Sequence, residues 1–115
     1  MAKKVIISCA VTGAIHTPSM SEFLPVTAEE VIEHSLAAHE AGAAVLHLHA
    51  RDEVDGHPTQ DPEEFQKFLP TIHNSCDAVI NITTGGGPQM SVEERMKPAS
   101  VSYTHLRAHE TVLDL

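Results

Sequence analysis

The chain alternates short, almost uncharged runs of β-branched residues with helix-start signals, and this alternation limits its fold more than any other feature. The runs are VIISCAV (5–11), AAVLHLH (43–49) and DAVINIT (77–83). Runs of this kind are typical of parallel strands that are buried on both faces. A helix signal follows each run and no hairpin signal joins two of them. The order therefore predicts parallel strands connected by right-handed helical crossovers.

Each expected helix begins at a polar residue that can cap free backbone N–H groups. The first and third helices begin at the capping boxes TAEE (27–30) and SVEE (91–94), and the second begins at DPEE (61–64). The first helix is expected to end at Gly42, because glycine readily takes the left-handed conformation that follows many helices. Pro70 is expected to bend or interrupt the second helix.

The order β-α-β-α-β-α fits two architectures, an open doubly wound sheet or part of a (β/α)₈ barrel. A complete barrel needs about 250 residues, whereas this chain has 115. We expect an α/β fold made of the N-terminal three βα units of a truncated (β/α)₈ TIM barrel. Residues 100–115 match neither a clear strand nor a clear amphipathic helix, so the domain is expected to cover residues 1–99.

Composition excludes several classes of partner. The net charge is −9 with only seven Lys and Arg residues, so the chain lacks the positive surface that nucleic acid requires. No run is long enough to cross a bilayer, and the N-terminus has no signal-peptide pattern, so we expect no membrane partner. Cys9 and Cys76 form no CxxC motif and are expected to be reduced, in a cytoplasmic protein.

Two histidines, His47 and His49, alternate with leucines in the second strand. Their side chains are expected to share one face of the sheet, at the carboxyl end where parallel α/β enzymes place their chemistry. Two imidazoles at this spacing can fill two corners of a zinc tetrahedron. The alternative is a pair of hydrogen-bonded core histidines. Beyond them, Arg51 could bind a substrate carboxylate, although an internal pair with Asp52 is favoured.

The third strand ends in Thr83 and Thr84, followed by three glycines. Backbone N–H groups in such a turn could hold a carboxylate or phosphate, with Gly85 and Gly86 as the closest residues. A tight turn without a ligand is an equal alternative. His16, in the first loop, is expected on the same rim and could contact the substrate.

Four segments together resemble the β-keto acid cleavage enzymes, including the 3-keto-5-aminohexanoate cleavage proteins. They occur in order along about residues 4–98. Four motifs in order at suitable separations are a far more specific signal than the HxH pair alone. The segments are TGAIHTPSM (12–20), AGAAVLHLHARD (41–52), GHPTQDPEEF (56–65) and VINITTGGG (79–87).

The resemblance implies a usually oligomeric TIM barrel that binds Zn²⁺ through His47, His49 and a glutamate from a late strand. It implies exchange of a β-keto acid with acetyl-CoA by a Claisen-type reaction, which gives acetoacetate and a new acyl-CoA. The metal would polarise the keto oxygen. Thr83, Thr84, Gly85 and Gly86 match the family segment that contacts the substrate carboxylate and adjacent oxygens.

The sequence departs from the family at two places. Ile15 and His16 stand about where relatives that act on amino-substituted keto acids carry an acidic residue, so a neutral or acidic keto acid is expected here. The resemblance stops at about Ser100, which predicts a non-family tail from a truncated or chimeric reading frame. The pair His105 and His109 in that tail is expected to be fortuitous.

The third zinc ligand, the general base and most of the coenzyme A site are expected in the absent late strands. The 115-residue chain is therefore expected to be inactive alone. Two other functions remain open from the residues: a metal-dependent hydrolase of the amidohydrolase type, which also uses HxH in a barrel, and a small non-enzymatic α/β metal-binding module.

Overall fold

The computed structural model describes residues 3–100, and these form a mixed α/β fold. The strands are β1 (Ser8–Ala10), β2 (Val45–Leu48), β3 (Ala50–Arg51), β4 (Pro58–Thr59) and β5 (Val79–Ile82). The helices are α1 (Ala28–Glu40), α2 (Pro62–Gln66), α3 (Leu69–Ser75) and α4 (Val92–Met96), which continues into a 3₁₀ turn at Lys97–Ser100.

Three strands form a parallel sheet in the order β1-β2-β5, as the alternating sequence pattern predicts. Strand β2 is central because it pairs with both neighbours: His47 is opposite Ala10 on one side and Asn81 on the other. The carboxyl ends of the strands therefore lie along one edge of the sheet. This parallel arrangement is compatible with part of a TIM-barrel-like fold.

The core lies between one face of this sheet and the helices. Leu46 and Leu48 of β2 are 0% exposed, and Ile80 and Ile82 of β5 are 2% and 3% exposed. Side chains from α1 and from the α2–α3 region complete the same apolar cluster, namely Ala28, Val31, Phe65, Phe68, Leu69 and Ile72. The period-2 alternation of the strands thus directs the leucines and isoleucines into the core.

Helix α1 begins at the predicted capping box. The Thr27 hydroxyl accepts a hydrogen bond from the Glu30 N–H at 3.2 Å, and the Glu30 carboxylate accepts from the Thr27 and Val26 N–H groups at 3.0 and 2.7 Å. These backbone donors hold the pKa of Glu30 below its ordinary value. Gly42 follows the helix with φ of 122°, a conformation that favours glycine.

The first strand is shorter and more exposed than its sequence predicts. It covers Ser8–Ala10 rather than residues 5–11, and Val5, Ile6 and Ile7 are 83%, 78% and 55% exposed. The carbonyl of Ile7 still accepts hydrogen bonds from Ala44 and Val45, so pairing with the second strand begins there. The prediction of burial on both faces is wrong for β1: it is an edge strand among residues 3–100, and Ser8 and Ala10 are exposed although Cys9 packs against the core.

An antiparallel ladder is a second difference. Ala50–Arg51 pairs with Pro58–Thr59 across the turn that contains Asp55 and Gly56, although no hairpin was expected. Each strand of the ladder has only two residues, which is too short to create a period-2 pattern in the sequence. Gly56 has φ of 78°, and a Cβ there would collide with the side chain of Pro18.

The second predicted helix is interrupted, as expected, and forms α2 and α3. The break lies at Lys67 and Phe68, ahead of Pro70, because proline is tolerated in the first turn of the new helix. In α4 the Ser91 hydroxyl caps the Glu94 N–H at 3.2 Å. None of the helices within residues 3–100 has the length and apolar character needed to span a membrane. His105 and His109 lie outside the described residues.

Candidate metal and substrate site

The two histidines of the HxH motif lie together at the carboxyl end of β2. His47 stands within the strand and His49 immediately after it. Their ring centroids are 5.1 Å apart with the planes at 78°, an edge-to-face arrangement. The alternation that buries Leu46 and Leu48 under the helices places the histidines on the opposite face of the sheet. We call this the open face, because its strand residues Ser8, Ala10, His47, Val79 and Asn81 are exposed or half-buried, although His49 beyond the end of β2 is buried.

His47 is held by a contact across the sheet. Its Nδ1 lies 2.5 Å from Oδ1 of Asn81, its register partner in β5. An amide oxygen is a hydrogen-bond acceptor only, so the imidazole donates from Nδ1. In a neutral ring the lone pair then lies on Nε2, which is the arrangement that a metal-ligating histidine requires.

His49 differs from His47 in its surroundings. It is 9% exposed, and no hydrogen bond reaches its ring from the residues that the structure describes. Burial lowers its pKa to about 4, with smaller contributions from the charges of His47 and Arg51. His49 is consequently a neutral imidazole at pH 7. Its unbonded ring nitrogens do not fit the alternative of two hydrogen-bonded core histidines.

Arg51 joins two loops above the histidines. Its Nε donates to the Thr12 hydroxyl at 2.9 Å, and its terminal nitrogens donate to the carbonyls of Gly56 at 2.7 Å and Gly13 at 2.5 Å. The internal pair with Asp52 that we favoured is wrong, because the Arg51 side chain is 3% exposed and points to these backbone oxygens. The Asp52 carboxylate instead accepts the Val54 N–H at 2.8 Å.

A cavity of about 390 Å³ lies beside the carboxyl end of β1. Its wall includes Thr12, Gly13 and His16 from the first loop, with Ala10 at the end of the strand. Ala10 is also the register partner of His47, so the cavity and the histidine pair share the same edge of the sheet. His16 is exposed on this cavity, where it was expected to meet a substrate; that role stays a prediction.

The glycine turn after β5 is closed by its own contacts. The Gly85 N–H donates to the Thr83 hydroxyl at 2.9 Å, and the Thr84 carbonyl accepts from Nε of Arg95 at 3.3 Å. Gly86 has φ of 56°, and a Cβ there would lie 2.7 Å from Sδ of Met90. The turn stands at the same sheet edge as His49, since the Thr83 N–H donates to the Leu48 carbonyl. Its binding of a carboxylate stays a prediction.

A second group of metal-binding side chains, formed by Asp52, Asp55 and His57, was missed by the sequence reasoning. Their ligand atoms lie within 4.8 Å of one another on the β3–β4 turn. The carboxylate of Asp55 already accepts hydrogen bonds from the backbone N–H and from Nδ1 of His57. The spacing of these residues around Asp55-Gly56 was the available signal, but acidic residues are common in turns of this kind.

A model of the beta-keto acid cleavage enzymes matches residues 4–112. This chain belongs to the β-keto acid cleavage enzyme family. The matched range extends past residue 99, where the family domain was expected to end; the origin of the final residues stays a prediction.

Characterised relatives agree with the family. The chain is 66% identical over 97 residues to the "3,5-dioxohexanoate:acetyl-CoA acetone transferase" of Paraburkholderia graminis, covering 84% of this chain and 31% of the relative. It is 41% identical over 97 residues to the "3-keto-5-aminohexanoate cleavage enzyme" of Acetoanaerobium sticklandii, covering 84% and 35%. The chain therefore spans about a third of the length of these relatives.

One solved structure is similar to part of the chain. It is described as "Apo structure of ObcA", with a TM-score of 0.50 and 26% sequence identity. The superposition covers 56% of this chain and 16% of that protein. The likeness supports a mixed α/β fold with a parallel sheet.

Proposed function

We propose that this chain is part of a zinc-dependent β-keto acid cleavage enzyme that exchanges a β-keto acid with acetyl-CoA, giving acetoacetate and a new acyl-CoA by a Claisen-type reaction. The family membership and the acetyl-CoA transferase names of the relatives support the reaction class. Because the chain spans about a third of those relatives, the complete activity is proposed for a protein of their length.

The observation that carries the metal proposal is the geometry of the histidine pair. Two imidazoles stand on one face at the carboxyl edge of the central strand, with ring centroids 5.1 Å apart. His47 has its Nδ1 bonded to Asn81, and His49 has an unbonded ring although it is largely buried. An imidazole nitrogen that makes no hydrogen bond and carries a lone pair is available as a metal ligand. The residues thus fit a zinc ion, with a glutamate from a late strand as the third protein ligand.

We assign substrate contacts to residues around this pair. Zinc, when bound, would supply a Lewis acid toward the keto oxygen. Thr83, Thr84, Gly85 and Gly86 are proposed to contact the substrate carboxylate, after the turn exchanges part of its internal hydrogen bonding for the ligand. His16 lines the cavity beside β1 and, without an acidic neighbour at Ile15, suits a neutral or acidic keto acid.

The same proposal includes the barrel, although residues 3–100 contribute only three parallel strands to it. Helices pack on one face of the sheet and the histidines stand on the other. A barrel arranges its layers in this way, whereas a doubly wound sheet carries helices on both faces. We also propose a cytoplasmic homo-oligomer. Family membership disfavours the amidohydrolase alternative, and no observation supports a separate small module.

Metal binding by the purified 115-residue chain tests the proposal. Titration with Zn²⁺, and with Co²⁺ followed by its visible absorption, should show binding that the double variant His47→Ala/His49→Ala abolishes. His34→Ala, on the exposed surface of α1, is the matched control and should bind like the wild type. His57→Ala distinguishes binding at the strand histidines from binding at the group of Asp52, Asp55 and His57. Binding that depends on His57 rather than on the strand histidines would contradict the assignment.

A second measurement concerns the reaction. The 115-residue chain, mixed with acetyl-CoA and a neutral β-keto acid, is expected to form no acetoacetate, because the third ligand and the base are assigned to late strands. Acetoacetate formation by this chain, lost in His47→Ala/His49→Ala, would contradict that assignment while supporting the chemistry.

A further inference from the structure

The cross-strand contact of His47 carries an inference beyond the identity of the metal ligands. An imidazole can bind a metal only through a nitrogen that carries a lone pair, and the hydrogen bond made by the other nitrogen selects the tautomer. For His47 that bond is the 2.5 Å contact between Nδ1 and Oδ1 of Asn81. The contact joins positions 34 residues apart in the chain, so it exists only when β2 and β5 are in their observed register.

We propose that Asn81 is a positioning residue that holds His47 as the Nδ1–H tautomer and so presents the Nε2 lone pair to a divalent cation on the open face. This inference rests on the proposed metal function and names a residue of the same site. Asn81 needs no contact with the ion, because it acts through the ring of His47.

The two ends of an asparagine amide have opposite effects on the ring. With Oδ1 toward Nδ1, the ring must donate, and Nε2 keeps its lone pair. With the amide turned over, its N–H would donate to Nδ1 and the proton would move to Nε2, which could then bind no metal. The strand register fixes the residues opposite each other, and the amide orientation decides which tautomer results.

The side chain at position 81 is therefore expected to matter for its acceptor rather than for its size. Asn81→Leu has a similar volume and no acceptor, so it removes the selection of the tautomer. Asn81→Asp keeps an acceptor oxygen and cannot donate when ionised, so it should preserve the Nδ1–H form. Asn74→Leu, on the exposed surface of α3, is the matched control for adding an apolar side chain.

The first measurement is nitrogen-15 NMR of the imidazoles in the metal-free chain at pH 8, with the His47 signals assigned by their loss in His47→Ala. The wild type, Asn81→Asp and Asn74→Leu should carry the proton on Nδ1, and Asn81→Leu should shift His47 toward the Nε2–H form. A wild-type His47 protonated on Nε2, or a tautomer unchanged in Asn81→Leu, would overturn the proposal. Far-UV circular dichroism confirms that each variant is folded.

The second measurement is the Zn²⁺ affinity of the same proteins by competition with a chromogenic chelator. Asn81→Leu is expected to weaken binding about 10–100-fold, the usual effect of losing such a partner, and Asn81→Asp to restore it. Unchanged affinity in Asn81→Leu would overturn the positioning role. Failure of the wild type to bind Zn²⁺ would instead contradict the proposed metal function, and the NMR result would still decide whether Asn81 sets the tautomer.

Discussion

The two faces of the parallel sheet differ sharply in chemistry. On the helix-covered face, Leu46 and Leu48 are fully buried within the apolar cluster. On the open face, Val79 is 45% exposed and stands in the same strand as Asn81, which holds His47. The covered face is completed by helices within residues 3–100, whereas Val79 and Asn81 on the open face keep contact with solvent.

The covered face therefore contributes mainly to the stability of the fold, and the open face holds the groups proposed to bind ligands. Apolar burial on the covered face supplies most of the free energy that orders the strands, because burial stabilises in proportion to the area removed from water. The open face, in contrast, holds polar groups whose positions depend on that order. Changes to the covered face should therefore alter the free energy of unfolding, and changes to the open face should alter ligand binding.

The largest expected effect is the loss of a core leucine. Leu48→Ala should lower the free energy of unfolding by about 2–5 kcal/mol, since it removes transfer free energy and leaves a cavity. Val79→Ala, a truncation on the open face, should cost less than about 1 kcal/mol because the side chain is half in water. Urea unfolding of both variants measures the contrast, and equal costs would break the distinction between the faces.

A substitution of Arg51 tests whether the first loop and the β3–β4 turn, which Arg51 joins, are held independently of the core. Arg51→Met should cost about 1–3 kcal/mol, because it leaves the buried carbonyls of Gly13 and Gly56 without their donor. Arg95→Met, which removes one long hydrogen bond to Thr84, is the control and should cost less. The rate of amide hydrogen exchange should rise selectively around Gly13 in Arg51→Met. A uniform increase in this rate across the chain would contradict a local role.

The helix that covers the sheet depends on its capping box. Thr27→Ala should cost about 1 kcal/mol, because the Glu30 N–H loses its acceptor at the start of α1. Thr71→Ala, on the exposed surface of α3, provides the control with the same chemical change. Thermal unfolding compares them, and an equal loss in both variants would mean that the cap contributes nothing specific.

The smallest expected effect is the contribution of Glu30 to the pH dependence of the free energy of unfolding. Its pKa is lower in the folded chain than in the unfolded chain because backbone N–H groups donate to the carboxylate. Its contribution is therefore complete above the unfolded pKa and is lost as pH falls through the folded pKa. Glu30→Gln should flatten this acidic part of the stability profile, whereas Glu33→Gln should not. A profile unchanged in Glu30→Gln would contradict the role of the carboxylate.

Much of the fold could be predicted from local sequence. The Thr27 cap, the Gly42 helix end and the parallel pairing of the three strands all follow from signals that lie within a few residues. The exposure of Val5 could not be predicted in this way, because a β-branched run has the same composition whether or not another layer covers it. The β3–β4 ladder was also hidden, since two residues are too few to form a pattern.

The candidate site divides in the same manner. The HxH spacing placed His47 and His49 on one face of β2, and the structure brings their rings together. The interpretation of Arg51 failed because a charged neighbour in sequence, Asp52, was favoured over the carbonyl of Gly56 and two oxygens from the distant first loop. For a buried guanidinium the nearest well-placed acceptors decide the partner, and sequence distance says little about them.

By itself the sequence determined the order of the three parallel strands and their helices, the caps and the family, because each of these depends on local propensity or on motifs read in order. Only the tertiary structure decided that Asn81 meets Nδ1 of His47, that the ring of His49 has no hydrogen-bond partner among residues 3–100, and that Arg51 joins Thr12 to Gly56. These contacts link positions far apart in the chain. They depend on strand register and loop packing, which the whole fold sets at once.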